Sequence, residues 1–452
     1  MKKLFTLGVL AAMACGAMAD DASITLLKDG IYYGGYMPEC VSANGKYICG
    51  STYMYPGFVA NWRNNDIFIP MEQDGSHFAD YGCDLPFVND NGVAVGYDDW
   101  GAMKVDLNSR KVERFYFPGL PDSMTEDGSI VVGMIYDKVY SDFQQEHYID
   151  KVACYATNGK VYPLPVPSEE ELGYYYLGSR ARCISGDGSV IMGEIIDRMA
   201  TNPMILWFRQ PDGTYKLDPV CMKYFSDIKY NEGYYREYVT FHGTALSDNG
   251  KWISMKLKKA PKYGEDALAP ILTGFYNVET GEITTVHING DYGVPPESVL
   301  EVFYSGISDN GTLVGTYLTA EGTTSAFILF QSDMQPRDIA DVFNTLGPLA
   351  DFREPDSALL VSGISADGRY ITGMGWAVDK TYDMGYYQGF VIDGGMTDTE
   401  RAAVENIEAD ATETAREYYD LSGRRVANPE HGIFIERRCL SDGSVKSAKV
   451  IL

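Results

Sequence analysis

Along most of the chain, apolar residues come in short runs or alternate with polar ones, and glycine, asparagine or aspartate breaks each run. Gly57-Phe58-Val59-Ala60-Asn61-Trp62, Met204-Ile205-Leu206-Trp207-Phe208 and Ala326-Phe327-Ile328-Leu329-Phe330 are examples. Such runs predict short β-strands joined by tight turns. One pattern recurs seven times: a small residue, an aliphatic one, Ser/Thr/Asn, any residue, Asn/Asp, then Gly, followed by a β-rich stretch. The copies are Cys40–Gly45, Phe87–Gly92, Ser123–Gly128, Cys183–Gly188, Ala245–Gly250, Gly306–Gly311 and Gly363–Gly368. Asn-Gly or Asp-Gly between apolar runs is a strong hairpin signal, and it predicts a two-residue type I′ turn with φ > 0 at both positions. The Ser/Thr/Asn two residues before the pair can hydrogen-bond the local backbone.

Each motif is followed by a second β-pair, such as Ile271–Tyr276 or Gly389–Ile392, and outer strands follow at Ile67–Ile69, Val161–Leu164, Tyr215–Leu217 and Ile283–Val286. Four strands per repeat, with turn glycines 36 to 62 residues apart, predict an all-β, seven-bladed β-propeller over residues 20–395. A β-sandwich array or β-helix is the alternative. The repeats resemble those of secreted propellers built on serial S-x-(D/N)-G-x4-G motifs, over residues 22–395. Sialidase Asp-boxes, WD repeats and kelch repeats do not fit the spacing. The last repeat lacks an outer strand of its own, so Ile24-Thr25-Leu26-Leu27 is expected to supply it and close the ring.

Both ends differ from this body. Lys2 and Lys3 before Leu4–Ala14, then Ala17-Met18-Ala19, read as a signal peptide over residues 1–19. Lipoprotein cleavage before Cys15 is an alternative. Residues 396–417 are polar and acidic and read as a linker, with a short helix near Glu400–Glu408. Residues 418–452 contain Tyr418-Tyr419-Asp420-Leu421-Ser422-Gly423-Arg424-Arg425-Val426, Gly432-Ile433-Phe434-Ile435 and Lys449-Val450-Ile451-Leu452, three short strands. This small C-terminal β tail module resembles the C-terminal sorting domains of type IX secretion, with a shorter middle segment. The resemblance implies export by a Gram-negative bacterium, to the periplasm, the outer-membrane surface or the medium, and contact with the secretion machinery.

Charge narrows the partners. Lys plus Arg is 37 and Asp plus Glu is 63, a net charge of −26. That repels phosphate backbones and anionic lipid, so no nucleic acid is expected. No run reaches the length of a transmembrane segment. Of the 8 Cys, Cys40 falls opposite Cys49 across the Asn44-Gly45 turn. A two-residue loop would make them a non-hydrogen-bonded pair with Cα atoms about 4.5 Å apart, a candidate disulfide. No Cys/His spacing points to zinc, and the 5 His are scattered. No catalytic motif, metal site or cofactor is expected. Asp98-Asp99 could serve glycoside chemistry only with a partner carboxylate that the sequence does not identify.

In a four-stranded blade, the second-to-third and blade-to-blade loops share one end. The long segments fall there: Tyr97–Gly101, Tyr136–Ile149, Ser168–Arg182, Phe225–Gly243, Met255–Leu268, Gly290–Ser305 and Trp376–Tyr387. Many of the 34 Tyr lie in them. Aromatic side chains with a polar handle suit glycans and peptides. The expected ligand face is therefore Tyr97, Asp99, Trp100, Tyr140, Tyr174, Tyr175, Tyr176, Tyr234, Tyr235, Arg236, Trp376, Tyr382, Tyr386 and Tyr387. The favoured function is a non-catalytic module that binds a glycan, peptide or protein. The alternatives are a polysaccharide-acting hydrolase or lyase, and an envelope assembly component.

Overall fold

A computed structural model describes residues 22–27, 35–52, 56–70, 83–141, 146–172, 176–196, 202–218, 239–259, 272–287, 299–319, 324–330, 336–343, 346–353, 357–379, 384–400, 413–419, 424–426, 429, 433–440 and 445–451. The described residues are mostly β-sheet, and the helices among them are short. It divides into two compact units: Ile24–Asp393, and Gly394–Leu452 with Met1–Ser23.

Within the larger unit, each repeat forms an open antiparallel meander. The first is Tyr36–Val41, Tyr47–Thr52, Gly57–Asn61 and Asp66–Phe68; the second is Asp84–Val88, Val93–Asp98, Gly101–Asp106 and Lys111–Arg114. The third is Gly119–Met124, Ile130–Ser141, Glu146–Thr157 and Lys160–Pro163, and the fourth is Gly178–Ile184, Val190–Ile196, Met204–Arg209 and Tyr215–Leu217. The fifth is Val239–Leu246, Trp252–Lys259, Leu272–Asn277 and Ile283–His287, and the sixth is Val299–Ile307, Leu313–Thr319, Thr324–Leu329 and Pro336–Asp338. Single parallel bridges, Lys151 to Gly178 and Thr324 to Ala358, join the third meander to the fourth and the sixth to the seventh. The seventh has three consecutive strands, Ala358–Ile364, Tyr370–Asp379 and Met384–Asp393, and takes Ser23–Leu26 as its fourth. The Leu27 N–H donates to Gly389 O at 2.9 Å, so the first strand of the chain completes the last meander.

The repeat turns differ from the expected two-residue loop. In all seven, the glycine has φ between +69° and +84° while the Asn or Asp before it does not have a positive φ. The glycine N–H donates to the carbonyl three residues back, as Gly188 does to Ser185 O at 2.8 Å. The side chains explain this longer turn. Ser185 Oγ donates to Asp187 Oδ1 at 2.8 Å and accepts from Val190 N–H at 3.0 Å, while Asp187 Oδ1 accepts from Ser189 N–H. The Ser42, Thr125, Ser247 and Ser365 turns repeat this arrangement. The local side-chain bonds stabilise one left-handed residue rather than two, and only Gly adopts it without steric cost.

The seven turns are also joined to one another. Asn44 N–H donates to Asp90 Oδ1, Asp90 N–H to Glu126 Oε2, Glu126 N–H to Gly186 O, and Gly186 N–H to Asp248 O. Asn249 N–H donates to Asp309 Oδ1, Asp309 N–H to Ala366 O, and Ala366 N–H to Ala43 O, which returns the cycle to the first repeat. Packing follows the same order. A Cβ on Gly92 would meet the Tyr47 ring, one on Gly188 would meet Ile130, one on Gly250 would meet Val190, and one on Gly45 would meet the Tyr370 ring of the last repeat. One buried cluster holds Val41, Ile48, Phe58 and Trp62 of the first repeat with Tyr370 and Val391 of the seventh.

The first strand of each meander carries a β-bulge. In six it falls one residue before the motif's small residue, at Glu39, Asp122, Arg182, Thr244, Ser305 and Ser362. In the second meander it spans Leu85-Pro86. The second glycine of the motif faces this bulge. A Cβ on Gly50, Gly96, Gly133, Gly193 or Gly373 would strike the carbonyl oxygen of Met37, Asp84, Leu120, Arg180 or Leu360. The fifth repeat moves the glycine across the ladder, with Gly243 opposite Met255.

Among the described residues, the smaller unit holds a sheet in the order Arg425–Val426, Glu413–Tyr419, Ile433–Leu440, Val445–Ile451. It has four strands where three were expected, and the strand at Glu413 begins inside the stretch read as linker. Arg425 and Arg437 each reach Glu417 at 3.2 Å, and Tyr419 Oη donates to Glu417 at 2.8 Å. A helix starts at residue 398, capped by Thr397 and Glu400.

Candidate functional site

Several segments expected as long loops are ladder instead. Tyr136–Ile149 is largely the outer end of a twelve-rung hairpin, Ile130 to Thr157 through Ser141 to Glu146, which pairs Tyr140 with His147. Trp376 pairs with Tyr387 and Ala377 with Tyr386 in the seventh meander. Asp98 pairs with Gly101, leaving only Asp99 and Trp100 at that tip. The apolar runs on either side continue the alternation further than the glycine and tyrosine content suggested.

The expected face therefore splits. Trp100 is 74% exposed. Asp99 is exposed beside it, and Tyr97 is half-buried. Burial, then the nearby Asp84, pushes the Tyr97 hydroxyl up to about 12. Tyr176 is instead in the core, packed in a cluster with Leu172, Ile195 and Trp207. Trp376, Tyr386 and Tyr387 are half-buried, and Tyr386 leans on Phe352 with ring centroids 5.9 Å apart. Tyr140 is placed by its backbone alone. Tyr174, Tyr175, Tyr234, Tyr235, Arg236 and Tyr382 lie outside the described residues.

Trp100 sits on a braced tip. The Asp98 carboxylate is buried and takes both Arg114 amino groups, at 2.5 and 2.6 Å, and Asp98 Oδ1 accepts the Trp100 N–H at 2.8 Å. Arg114 also donates to Gly101 O at 3.2 Å, and Gly101 has φ +117°. A bidentate pair to a buried carboxylate is rigid, so the backbone that carries the indole is held in place. Tyr116, 70% exposed, and Tyr136, 53% exposed, are further aromatic groups at this end that the sequence reading did not single out. Alternation could have found Tyr116, since it lies between the inward-facing Phe115 and Phe117.

The second feature is a central cavity of about 450 Å³, lined from all seven first strands by residues such as Glu39, Phe87, Asp122, Arg182, Thr244, Ile307 and Ser362. The bulges place several of these side chains there, a recurrent use of bulges beside sites. The cavity is acidic. Burial, then the charge of Asp84, raises Glu39 to about 7, although Ser51 Oγ donates to it at 2.9 Å. Burial, with the charges of Asp90 and Asp248, raises Glu126 to about 8 against the Asp90 N–H that it accepts. Asp248 rises to about 6 through burial and the charge of Asp309. Arg180 bonds Asp122, and Arg182 bonds Glu194 at 2.7 Å. Sequence reading missed this lining because neither the bulge position nor the variable residue of the turn carries a motif. Carboxyls that keep a proton near neutrality can act as general acids. Among the described residues, no group of three or more His, Cys, Asp or Glu is placed to hold a metal ion. No described helix is long and apolar enough to cross a membrane.

Cys40 faces Cys49 as expected, but the pairing type changes. Ser42 N–H donates to Tyr47 O, so by alternation Cys40/Cys49 is of the hydrogen-bonded kind, with Cα atoms about 5.5 Å apart. Both are free thiols; Cys49 Sγ donates to Leu85 O at 3.0 Å, and burial raises it.

No protein-family model and no curated protein matches the chain. Among solved structures, it is similar to an oligogalacturonate lyase from Vibrio parahaemolyticus, at 12% identity and TM-score 0.48, covering 82% of this chain and 93% of that one. It is also similar to a prolyl endopeptidase, at 10% identity and TM-score 0.42, covering 98% and 60%. A third is TolB from Acinetobacter baumannii, at 13% identity and TM-score 0.31, covering 67% and 53%. These are propeller-type folds. Likeness at this level does not bear on what the present chain does.

Proposed function

We propose that the chain is an exported seven-bladed β-propeller that serves as a binding module. It would hold a glycan, peptide or protein partner by aromatic side chains at the blade ends opposite the Ser-x-Asn/Asp-Gly turns. Support for the ring comes from the hydrogen-bonded cycle through Ala43, Asp90, Glu126, Gly186, Asp248, Asp309 and Ala366. The observation that carries the binding role is Trp100, 74% exposed on a tip braced by Asp98 and Arg114. An indole presented to solvent on rigid backbone is costly for solubility and useful for recognition. Export rests on the signal-like residues 1–19 and the sorting-like residues 418–452.

A parallel screen of purified protein and its Trp100→Ala variant on glycan and peptide arrays tests this reading. A ligand whose affinity drops at least tenfold in the variant is expected. Ligands bound equally well by both would place the site elsewhere. A second reading, a polysaccharide-acting enzyme, is favoured by one observation: Glu39 and Glu126, raised to about 7 and about 8, border one cavity. It requires polysaccharide cleavage that Glu126→Gln abolishes.

A further inference from the structure

Six Asn-Gly pairs occur in the chain, at Asn44, Asn91, Asn158, Asn249, Asn289 and Asn310. Gly has no Cβ to shield its nitrogen, so each pair sets the least hindered main-chain nucleophile beside a side-chain amide. The structure treats the pairs unequally. In the repeat turns both reacting groups are tied down. Ser42 Oγ and Lys46 N–H donate to Asn44 Oδ1, each at 2.9 Å, and Gly45 N–H donates to Ser42 O at 2.8 Å. Asn249 Oδ1 accepts from Ser247 Oγ and Lys251 N–H, its Nδ2 donates to Asp309 O at 3.1 Å, and Gly250 N–H donates to Ser247 O at 3.0 Å. Asn91 Nδ2 donates to Glu126 O at 3.3 Å, and Gly92 N–H to Asn89 O at 3.0 Å. Gly311 N–H donates to Ser308 O at 3.0 Å. Asn158-Gly159 is different. It joins Glu146–Thr157 to Lys160–Pro163 beyond the Thr157–Lys160 rung, with φ +51° and +71°. Both residues are exposed, and a Cβ on Gly159 would meet nothing within 4 Å. Among the described residues, neither the Asn158 side chain nor the Gly159 N–H has a hydrogen-bond partner. Asn289 lies outside the described residues.

We propose that Asn158 is a self-modification site, which deamidates through a succinimide while the repeat turns protect their own asparagines. The Gly159 nitrogen gives up its proton and attacks Asn158 Cγ. The Cγ–Nδ2 bond breaks, and the amide nitrogen leaves with that proton as ammonia. Water then opens the five-membered ring at either carbonyl. One opening gives an aspartyl residue; the other gives an isoaspartyl residue, whose main chain runs through Cγ. The net reaction exchanges ammonia for water and needs no oxidant. Cyclisation requires the turn to open locally, and the cost of opening grows with the hydrogen bonds that must break. At Asn44 and Asn249 those bonds hold the amide and the attacking nitrogen together with the neighbouring repeat. At Asn158 none of them exists. Either product adds one negative charge at an exposed tip, and the isoaspartyl form lengthens a two-residue turn whose strand twist depends on its length.

The folded full chain is incubated in mildly alkaline buffer made with isotopically labelled water, and its peptides are mapped by mass spectrometry at intervals. Asn158 is expected to take up one labelled oxygen at least tenfold faster than Asn44, Asn91 or Asn249, with the isoaspartyl and aspartyl products resolved by their retention. The same incubation in denaturant should bring the four rates together, because the four pairs share one chemistry and differ only in their folded surroundings. A folded-state rate at Asn44, Asn91 or Asn249 that equals or exceeds the rate at Asn158 overturns the proposal. So does a preference for Asn158 that persists undiminished in denaturant, which would assign it to sequence rather than to the turns.

Discussion

The turn hydroxyl at Ser185 is fully buried and engaged as donor and acceptor at once, with Asp187 and with Val190 N–H. Ser185→Ala would leave that N–H and one carboxylate lone pair without their partner, a cost of about 1–3 kcal/mol for the buried donor. Gly193 makes a different demand. It needs no special φ, but a methyl there would strike Arg180 O and the Trp207 ring. Gly193→Ala is expected to destabilise by about 1–3 kcal/mol, read as a lower denaturation midpoint at constant m-value. The same substitution at Gly213, which has open space around it and φ +84°, tests backbone strain alone and should cost less. The cysteine pair tests compartment. Cys40 and Cys49 are not bonded to each other in this structure; if an oxidising space joins them, alkylation in denaturant should label two fewer thiols without reductant than after reduction, Cys40→Ser should remove that difference, and equal labelling would show that they stay thiols.

Among the elements, the strand Ser23–Leu26 has an unusual position, since it completes a meander whose other strands, beginning at Ala358, Tyr370 and Met384, come more than 300 residues later. Gln388 Nε2 donates to Leu27 O at 2.5 Å and Leu27 N–H to Gly389 O, so the pairing is held from both sides. A chain that starts at residue 35 would expose the edge of Met384–Asp393, and open edges recruit other chains. It is expected to elute as higher oligomers on size-exclusion chromatography and to melt earlier, whereas a monomer with full Tm would remove the closing role. This strand was legible in the sequence because the last repeat lacked a fourth member. The hairpin centres were legible too, since Asn44-Gly45 fixes which residues face each other. The turn length was not, because Ser42 and Asn44 bond each other and the backbone in ways that dipeptide preference does not encode. Nor were the bulges at Glu39, Asp122 and Arg182, whose cause is a glycine across the ladder rather than anything on their own strand. Of the expected aromatic face, Trp100 and Asp99 are exposed at one tip. Tyr176 is a core residue, because the helix Glu169–Leu172 folds that connection onto the fourth meander.

At the scale of the whole molecule, acidity is both distributed and focused. Glu39, Glu126 and Asp248 have folded pKa values above their ordinary ones. The folded state therefore binds more protons than the unfolded state between the ordinary carboxyl pKa and the raised value. The stability these groups contribute is fully present below about pH 4.5 and is lost as pH rises through about 6 to 8, so Tm should be higher at pH 5 than at pH 8. The net charge of −26 pushes in the same direction through self-repulsion, and one substitution separates the two causes. Glu126 faces Asp90 across the bond from its N–H, with Asp248 beyond it. Glu126→Gln keeps an acceptor oxygen for that N–H and changes the net charge by only one unit. If the local carboxyl sets the pH dependence, the variant should melt roughly 2–4 °C higher than wild type at pH 8 and match it at pH 5. If diffuse repulsion sets it, the variant should keep the wild-type slope, and differential scanning calorimetry at the two pH values distinguishes these outcomes. A positive result would assign the titration to the hydrogen bonds that join the first turn to the seventh, and so connect the pH response to those contacts between repeats.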